Sequence, residues 1–160
     1  MLASQTVLYE EEHKQITEIC ENLVTEAHAK LVFLVDKNGQ LIAVAGDSEN
    51  MDTTSLATLA AGNIAATGGL AKLIGEEEFS ILFHEGSRDN LHLSLVAQKL
   101  IVVVVFDHRS TVGLVRLRVK KATTRLTEIL DEMEKKRKGD QGNPLFAEIT
   151  DDDIDNLFND

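Results

Sequence analysis

The sequence predicts an α/β (α+β) fold, α-β-β-α-β-β-β-α, in which a five-stranded antiparallel sheet carries helices on both faces. Three observations predict it. Asn38-Gly39 stands between two apolar, β-branched runs, the spacing of a tight hairpin. Leu100 to Phe106 is apolar at all seven positions, as a strand covered on both sides must be, and is placed centrally in the sheet. Three other stretches repeat their apolar residues at steps of three and four, the period of helices packed on one side.

The first helix is expected over about Tyr9 to His28, with Ile16, Ile19, Cys20, Leu23, Val24 and Ala27 on its stripe. Cys20 is then a small core residue, its thiol held protonated by burial. Lys30 to Asp36 and Gln40 to Gly46 form the hairpin. Asp52-Thr53-Thr54-Ser55 supplies N-cap candidates for a second helix, which runs without proline to Ile74 and closes on Gly75 as a C′ residue. Glu78 to His84, Leu91 to Ala97 and Leu100 to Asp107 are three further strands. Leu91, Leu93 and Leu95 alternate with His92, Ser94 and Val96, so that one face of the fourth strand is strongly apolar. Beyond Arg109, Val115, Val119, Ala122, Leu126, Ile129 and Met133 keep the helical period over five turns, ending near Lys138. The domain therefore spans 9–138, preceded by a short tail, 1–8. A flexible linker from Gly139 to Asn143 and an acidic amphipathic segment follow, within 139–160.

Composition narrows the function classes. With 160 residues, 43% of them apolar and 27% charged, the chain suits one globular domain. A net charge of −11 opposes binding to nucleic acid or an anionic membrane, because the bulk of the surface repels phosphate. The opening residues carry no secretion signal, and one cysteine excludes an internal disulfide, so the cytoplasm is the expected compartment. Charge is uneven: residues 110–138 carry nine Lys and Arg against four Asp and Glu, whereas 144–160 hold six acids and no base. Such opposed blocks suit intramolecular docking or two separate partner contacts.

Catalytic motifs are missing. There is no phosphate-cradling glycine loop and no glycine-flanked serine elbow, and the five histidines lack metal-ligand spacing. No cofactor and no metal are expected, and no enzymatic activity of the chain's own is expected.

Two features point to binding. On the second helix, Leu56, Ala60, Asn63, Thr67, Leu70 and Ile74 share a stripe expected to face the sheet, while Ala57, Ala61, Ala65, Gly68 and Lys72 form an adjacent stripe almost without side chains. Gly68 and Gly69 each cost a helix about 0.5–1 kcal/mol against alanine, so something should approach that backbone closely. In the C-terminal segment, Ile154, Leu157 and Phe158 follow Thr150 and three aspartates, the pattern of a short amphipathic helix that orders only against a groove.

The hairpin Val32–Gly46, the helix Asp52–Gly75 and the ending Ala147–Phe158 together resemble the Roadblock/dynein-light-chain family, and within it the bacterial members that act on a Ras-like GTPase. The resemblance implies a homodimer in which the second helices lie side by side and the third strands join two sheets, with Ala57, Phe79 and Ile81 at the interface. It implies a Ras-like small GTPase of the MglA type as partner, preferably GTP-bound, whose own catalytic Arg and Gln are repositioned so that GTP hydrolysis is stimulated. Ala61, Ala65, Gly68, Gly69 and Lys72 match the GTPase-facing positions, and Phe146, Ile149, Ile154, Leu157 and Phe158 match a tail helix that reaches a second GTPase site. Arg116, Lys120 and Lys121 are additional contacts, and Arg88 and Arg109, in loops, are the alternative arginine fingers. Bacterial cell polarity and gliding motility, enrichment at a cell pole, and other Roadblock or pole-associated partners are implied in the same way. A non-catalytic Roadblock scaffold is the competing reading. A small-molecule sensor is disfavoured by the few aromatics and the lack of a convergent polar cluster.

Overall fold

The computed structural model describes residues 10–141 and has the expected element order: α1 (Glu10–Glu26), β1 (Leu31–Asp36), β2 (Leu41–Gly46), α2 (Thr53–Leu73), β3 (Ile81–Glu85), β4 (Asn90–Val96), β5 (Leu100–Phe106) and α3 (Val112–Gln141). The strands make one antiparallel sheet in the order β2-β1-β5-β4-β3. β5 is central and all seven of its residues are buried, which is why its run tolerates no polar side chain. The hairpin turn is fixed by Asp36, whose carboxylate accepts hydrogen bonds from Asn38 N (2.9 Å) and Gln40 N (3.0 Å), and by Gly39 at φ +90°.

The two faces are covered unequally. α1 and α3 pack side by side on one face, where Ile16, Cys20, Leu23, Val119, Leu126 and Ile129 meet Val32, Leu34, Val102, Val104 and Phe106. The other face carries α2 alone, through Ala57, Ala60, Ala61 and Ile64 against Leu31, Phe33, Val35, Ile101 and Val103. Burial on β4 follows this coverage rather than polarity. His92 and Ser94, under the paired helices, are buried, and on the α2 face Leu93 is buried too, whereas Leu91 and Leu95 on either side of it are only partly covered. Burial is the main cause that pushes the His92 imidazole below its ordinary pKa, with the charge of Arg116 adding to it, so the ring is neutral. Cys20 is 3% exposed, and its thiol is pushed up to about 12, chiefly by burial.

Three boundaries differ from the periodicity. α1 stops at Glu26 because His28 adopts φ +52°, and the amides of His28 and Ala29 turn back to the carbonyls of Thr25 and Val24 in a Schellman motif. The β3 ladder begins at Ile81 rather than Glu78, although Ser80 still accepts a hydrogen bond from Leu95 N (2.8 Å). α3 continues through Gly139 to Gln141, so the first residues of the expected linker are helical. A fourth difference concerns rotation. The sheet-facing stripe of α2 is Ala57, Ala60, Ala61 and Ile64, while Leu70 and Ile74, expected there, are 61% and 68% exposed. The bulky side chains of β1 and β5 already fill that layer, and small residues let the helix backbone come down onto them.

α1 and α3 are tied at one end by Glu12, buried, whose carboxylate accepts a hydrogen bond from Lys136 Nζ. That bond holds the Glu12 carboxyl below its usual range, against burial, which acts to raise it. A group whose folded pKa is depressed stabilises the fold above its unfolded value, about 4.3, and loses that contribution as pH falls through the folded value. Glu12→Gln should therefore melt below the wild type at pH 7, and the gap should close as pH drops below about 4. Thermal unfolding across that range checks it; a gap that stays constant down to pH 3 contradicts the pairing.

Candidate docking site on the second helix

α2 is delimited by local chemistry. Asp52 caps it, its carboxylate accepting from Ser55 N (3.0 Å) and Ser55 Oγ (2.7 Å), bonds that also hold the Asp52 carboxyl below its ordinary pKa. At the other end Gly75, at φ +81°, and Glu76 donate back to the carbonyls of Lys72 and Ala71, a second Schellman motif. The β1–β2 turn props the helix near its start. A Cβ on Gly39 would stand 3.3 Å from Thr58 Cα, so the turn needs glycine for this close approach as well as for its φ. On the flank, Asn63 is not turned into the sheet layer; its side-chain amide donates to His84 Nε2 on the edge strand β3 (3.1 Å).

Past Ile64 the helix runs on beside a solvent-open groove of about 370 Å³. Ala61, Ile64, Ala65, Gly68, Gly69 and Lys72 line one wall; Glu77, Glu78 and Phe79, leading into β3, line the other, with Leu95 of β4 and Lys37 of the hairpin. Glu78 is held by a hydrogen bond from Gln98 Nε2 (2.5 Å), which anchors that second wall to the β4–β5 turn. All five positions expected to face a GTPase, Ala61, Ala65, Gly68, Gly69 and Lys72, thus line one groove. Ala61 does so from a buried position, while Ala65, Gly69 and Lys72 are exposed and Gly68 is half-buried. A Cβ on Gly68 or Gly69 would meet nothing within 4 Å, so nothing among the described residues requires glycine there. Its lining combines alanine and glycine with the charged side chains of Lys37, Lys72, Glu77 and Glu78 and the ring of Phe79.

The other expected positions separate. Ala57 is 0% exposed and packs on its own sheet, so it cannot be an interface contact; Phe79 and Ile81 remain 36% and 47% exposed, beside the open edge of β3. Arg116, Lys120 and Lys121 are exposed on α3, across the sheet from the groove. Arg88, in the β3–β4 loop, and Arg109, bonded to Asp107 (3.1 Å), lie beyond the β1-start end of the sheet. The groove lies toward the other end, about 17 Å away along six residues of strand. Neither is a finger for this groove in the same subunit. Phe146, Ile149, Ile154, Leu157 and Phe158 fall outside the described residues.

Sequence reasoning missed one surface. Leu59, Leu70, Leu73 and Ile74 are 71%, 61%, 83% and 68% exposed on the outer side of α2. The signal for it was that Lys72 is the one charged residue in a helix of 21; a helix apolar nearly all round needs cover on more than one side.

The profile of the Roadblock/LC7 domain matches residues 15–106. The chain belongs to the Roadblock/LC7 family. Among solved structures it is similar to Myxococcus xanthus MglB, with 56% identity over 80% of this chain and 96% of that one, and a TM-score of 0.76. It is also similar to the gliding protein MglB of Thermus thermophilus, with 34% identity over 79% and 96% and a TM-score of 0.74. A structure of MglB with tetrameric arrangement matches at 33% identity, the same coverage and a TM-score of 0.75. No curated protein matches. Among the described residues, no helix is long and apolar enough to cross a membrane, and no group of three or more His, Cys, Asp and Glu is placed to hold a metal ion.

If Gly68 and Gly69 serve a partner rather than the fold, replacing them should not harm the fold. Gly68→Ala and Gly69→Ala are each expected to leave stability unchanged or raise it by up to about 1 kcal/mol. Urea unfolding checks this; a loss of stability in either variant would show that the glycines are needed within the subunit.

Proposed function

We propose that this protein is a GTPase-activating regulator of a Ras-like small GTPase of the MglA type, acting as a homodimer whose α2 grooves receive the GTP-bound switch region. The observation that carries the reading is the groove itself, walled by a helix stripped to alanine and glycine at Ala65, Gly68 and Gly69, where the subunit makes no use of the missing side chains. Similarity to two MglB proteins, one a gliding protein, supports the choice of partner class.

The homodimer uses the outer side of α2, Leu59, Leu70, Leu73 and Ile74, together with the free edge of β3 and the exposed Phe79 and Ile81. Apolar side chains this exposed are stabilised by burial, at roughly 25 cal/mol per Å² removed from water. An unpaired strand edge also offers its backbone groups to a second copy.

Stimulation works by selection. The partner's own Arg and Gln are held in the arrangement that hydrolyses GTP, and the groove binds that arrangement better than the resting one. Lys37 and Lys72 flank the groove, and no arginine lines it among the described residues. The C-terminal segment, through Phe146, Ile149, Ile154, Leu157 and Phe158, adds a contact at a second GTPase site. Action in the cytoplasm, at a cell pole, in polarity and gliding motility belongs to the same proposal.

Single-turnover GTP hydrolysis by a cognate GTPase tests the reading. The protein should accelerate hydrolysis, and Gly68→Arg, which fills the groove, should reduce the acceleration at least about tenfold, or roughly 1.4 kcal/mol. Its dimer elution and melting temperature should stay those of the wild type. Undiminished acceleration by Gly68→Arg overturns the docking face. Binding without acceleration by the wild type replaces activation with scaffolding.

A further inference from the structure

On the face of the domain opposite α2, a groove of about 150 Å³ runs between α1 and α3. Its lining is apolar at Ile19 and at the buried Leu23 and Ala122, cationic at Arg118, Lys121 and Arg125, and otherwise Asn22 and one carboxylate, Glu26. The cations are loosely engaged. Lys121 Nζ is 3.9 Å from Glu26, Arg125 pairs with Glu128 at 3.2 Å, both pairs are solvent-exposed, and Arg118 Nε is buried without a hydrogen-bond partner. Exposed pairs of this kind exchange readily for other anions.

The chain contains a counterpart. Residues 144–160 hold Glu148, Asp151, Asp152, Asp153, Asp155 and Asp160 with no base, and Ile154, Leu157 and Phe158 at helical spacing, so an apolar stripe is bordered by carboxylates as the groove's apolar strip is bordered by cations. Reach permits the match. From Gln141 back to Arg125 is about 24 Å along the α3 axis, and the ten residues from Gln141 to Asp151 can span about 33 Å.

We propose that the acidic C-terminal segment of this chain docks in the α1–α3 groove of its own subunit, with Asp151, Asp152, Asp153 and Asp155 against Arg118, Lys121 and Arg125. This contact belongs to the free protein, and a GTPase that engages the same segment displaces it. A short tether gives an effective concentration of around a millimolar, so an interaction too weak to hold a free peptide still populates the docked state. It is electrostatic and salt-sensitive, since the Debye length falls from about 8 Å at 0.15 M to about 3 Å at 1 M ionic strength.

Carbodiimide coupling of the full-length protein, with peptide mapping by mass spectrometry, tests it, because the reagent joins an amine to a carboxylate only where they touch. Lys121 should be linked to the peptide that contains Asp151–Asp155, as well as to Glu26, which serves as the internal control. The tail link should fall at least threefold relative to the unlinked Lys121 peptide in 1 M salt and in Arg125→Glu. Linkage of Lys121 to Glu26 alone overturns the proposal. In a mixture of isotopically heavy and light protein, tail links that join heavy to light chains overturn docking within one subunit.

Discussion

The constraint on which the molecule depends is that one face of a five-stranded sheet is covered by a single helix. Two helices cover the other face as far as β4, leaving only Ile81 and Phe83 of the edge strand 47% and 38% exposed on it among the large apolar side chains of the described strands. α2 can cover its face only by lying close to it, and it lies close because Ala57, Ala60 and Ala61 are small where Phe33 and Val103 are large. The close fit holds over the first half of the helix. Past Ile64 the helix and the lead-in to β3 stand apart with a groove between them, and the helix carries neither the bulk to fill it nor the charge to make it an ordinary solvated surface.

Function follows from this shortage of cover. A helix with one charged residue in 21, four large apolar side chains exposed on its outer side and a bare stripe along the groove is incomplete as a monomer surface. The two incomplete regions are chemically different. The outer face, leucine-rich, suits a permanent partner such as a second copy. The groove, small and partly polar at its rim, suits a partner that comes and goes. Cationic α3 lies across the sheet from both.

Much of the fold was legible because local signals agreed with the tertiary outcome. Asn38-Gly39, the apolar run of β5, Asp52 as a cap and Gly75 as a C′ residue each specify backbone geometry directly. The rotation of α2 was not legible from the sequence. Leu56, Leu70 and Ile74 look like a core stripe by hydropathy, yet the sheet selects alanine because its own side chains already occupy the space, and Leu70 and Ile74 turn outward. For the same reason His92 and Ser94 lie buried while Leu95 opens on the groove: coverage by helices, invisible in a strand's alternation, decides which face is wet. Of the site, the bare stripe could be read from its two glycines. The opposing wall, Glu77 to Phe79, could not, since it adjoins α2 only in the folded chain.

The central claim is that the groove is open in the free protein and is covered by a nucleotide-dependent partner. Thiol modification of an Ala65→Cys variant tests it directly, because Cys20, buried and with its thiol pushed up to about 12, stays silent. The introduced thiol should react readily in the free protein and be protected when a Ras-like GTPase loaded with a GTP analogue is added, with little protection from the GDP form. A thiol that is unreactive in the free protein, or equally reactive under all three conditions, would contradict the account.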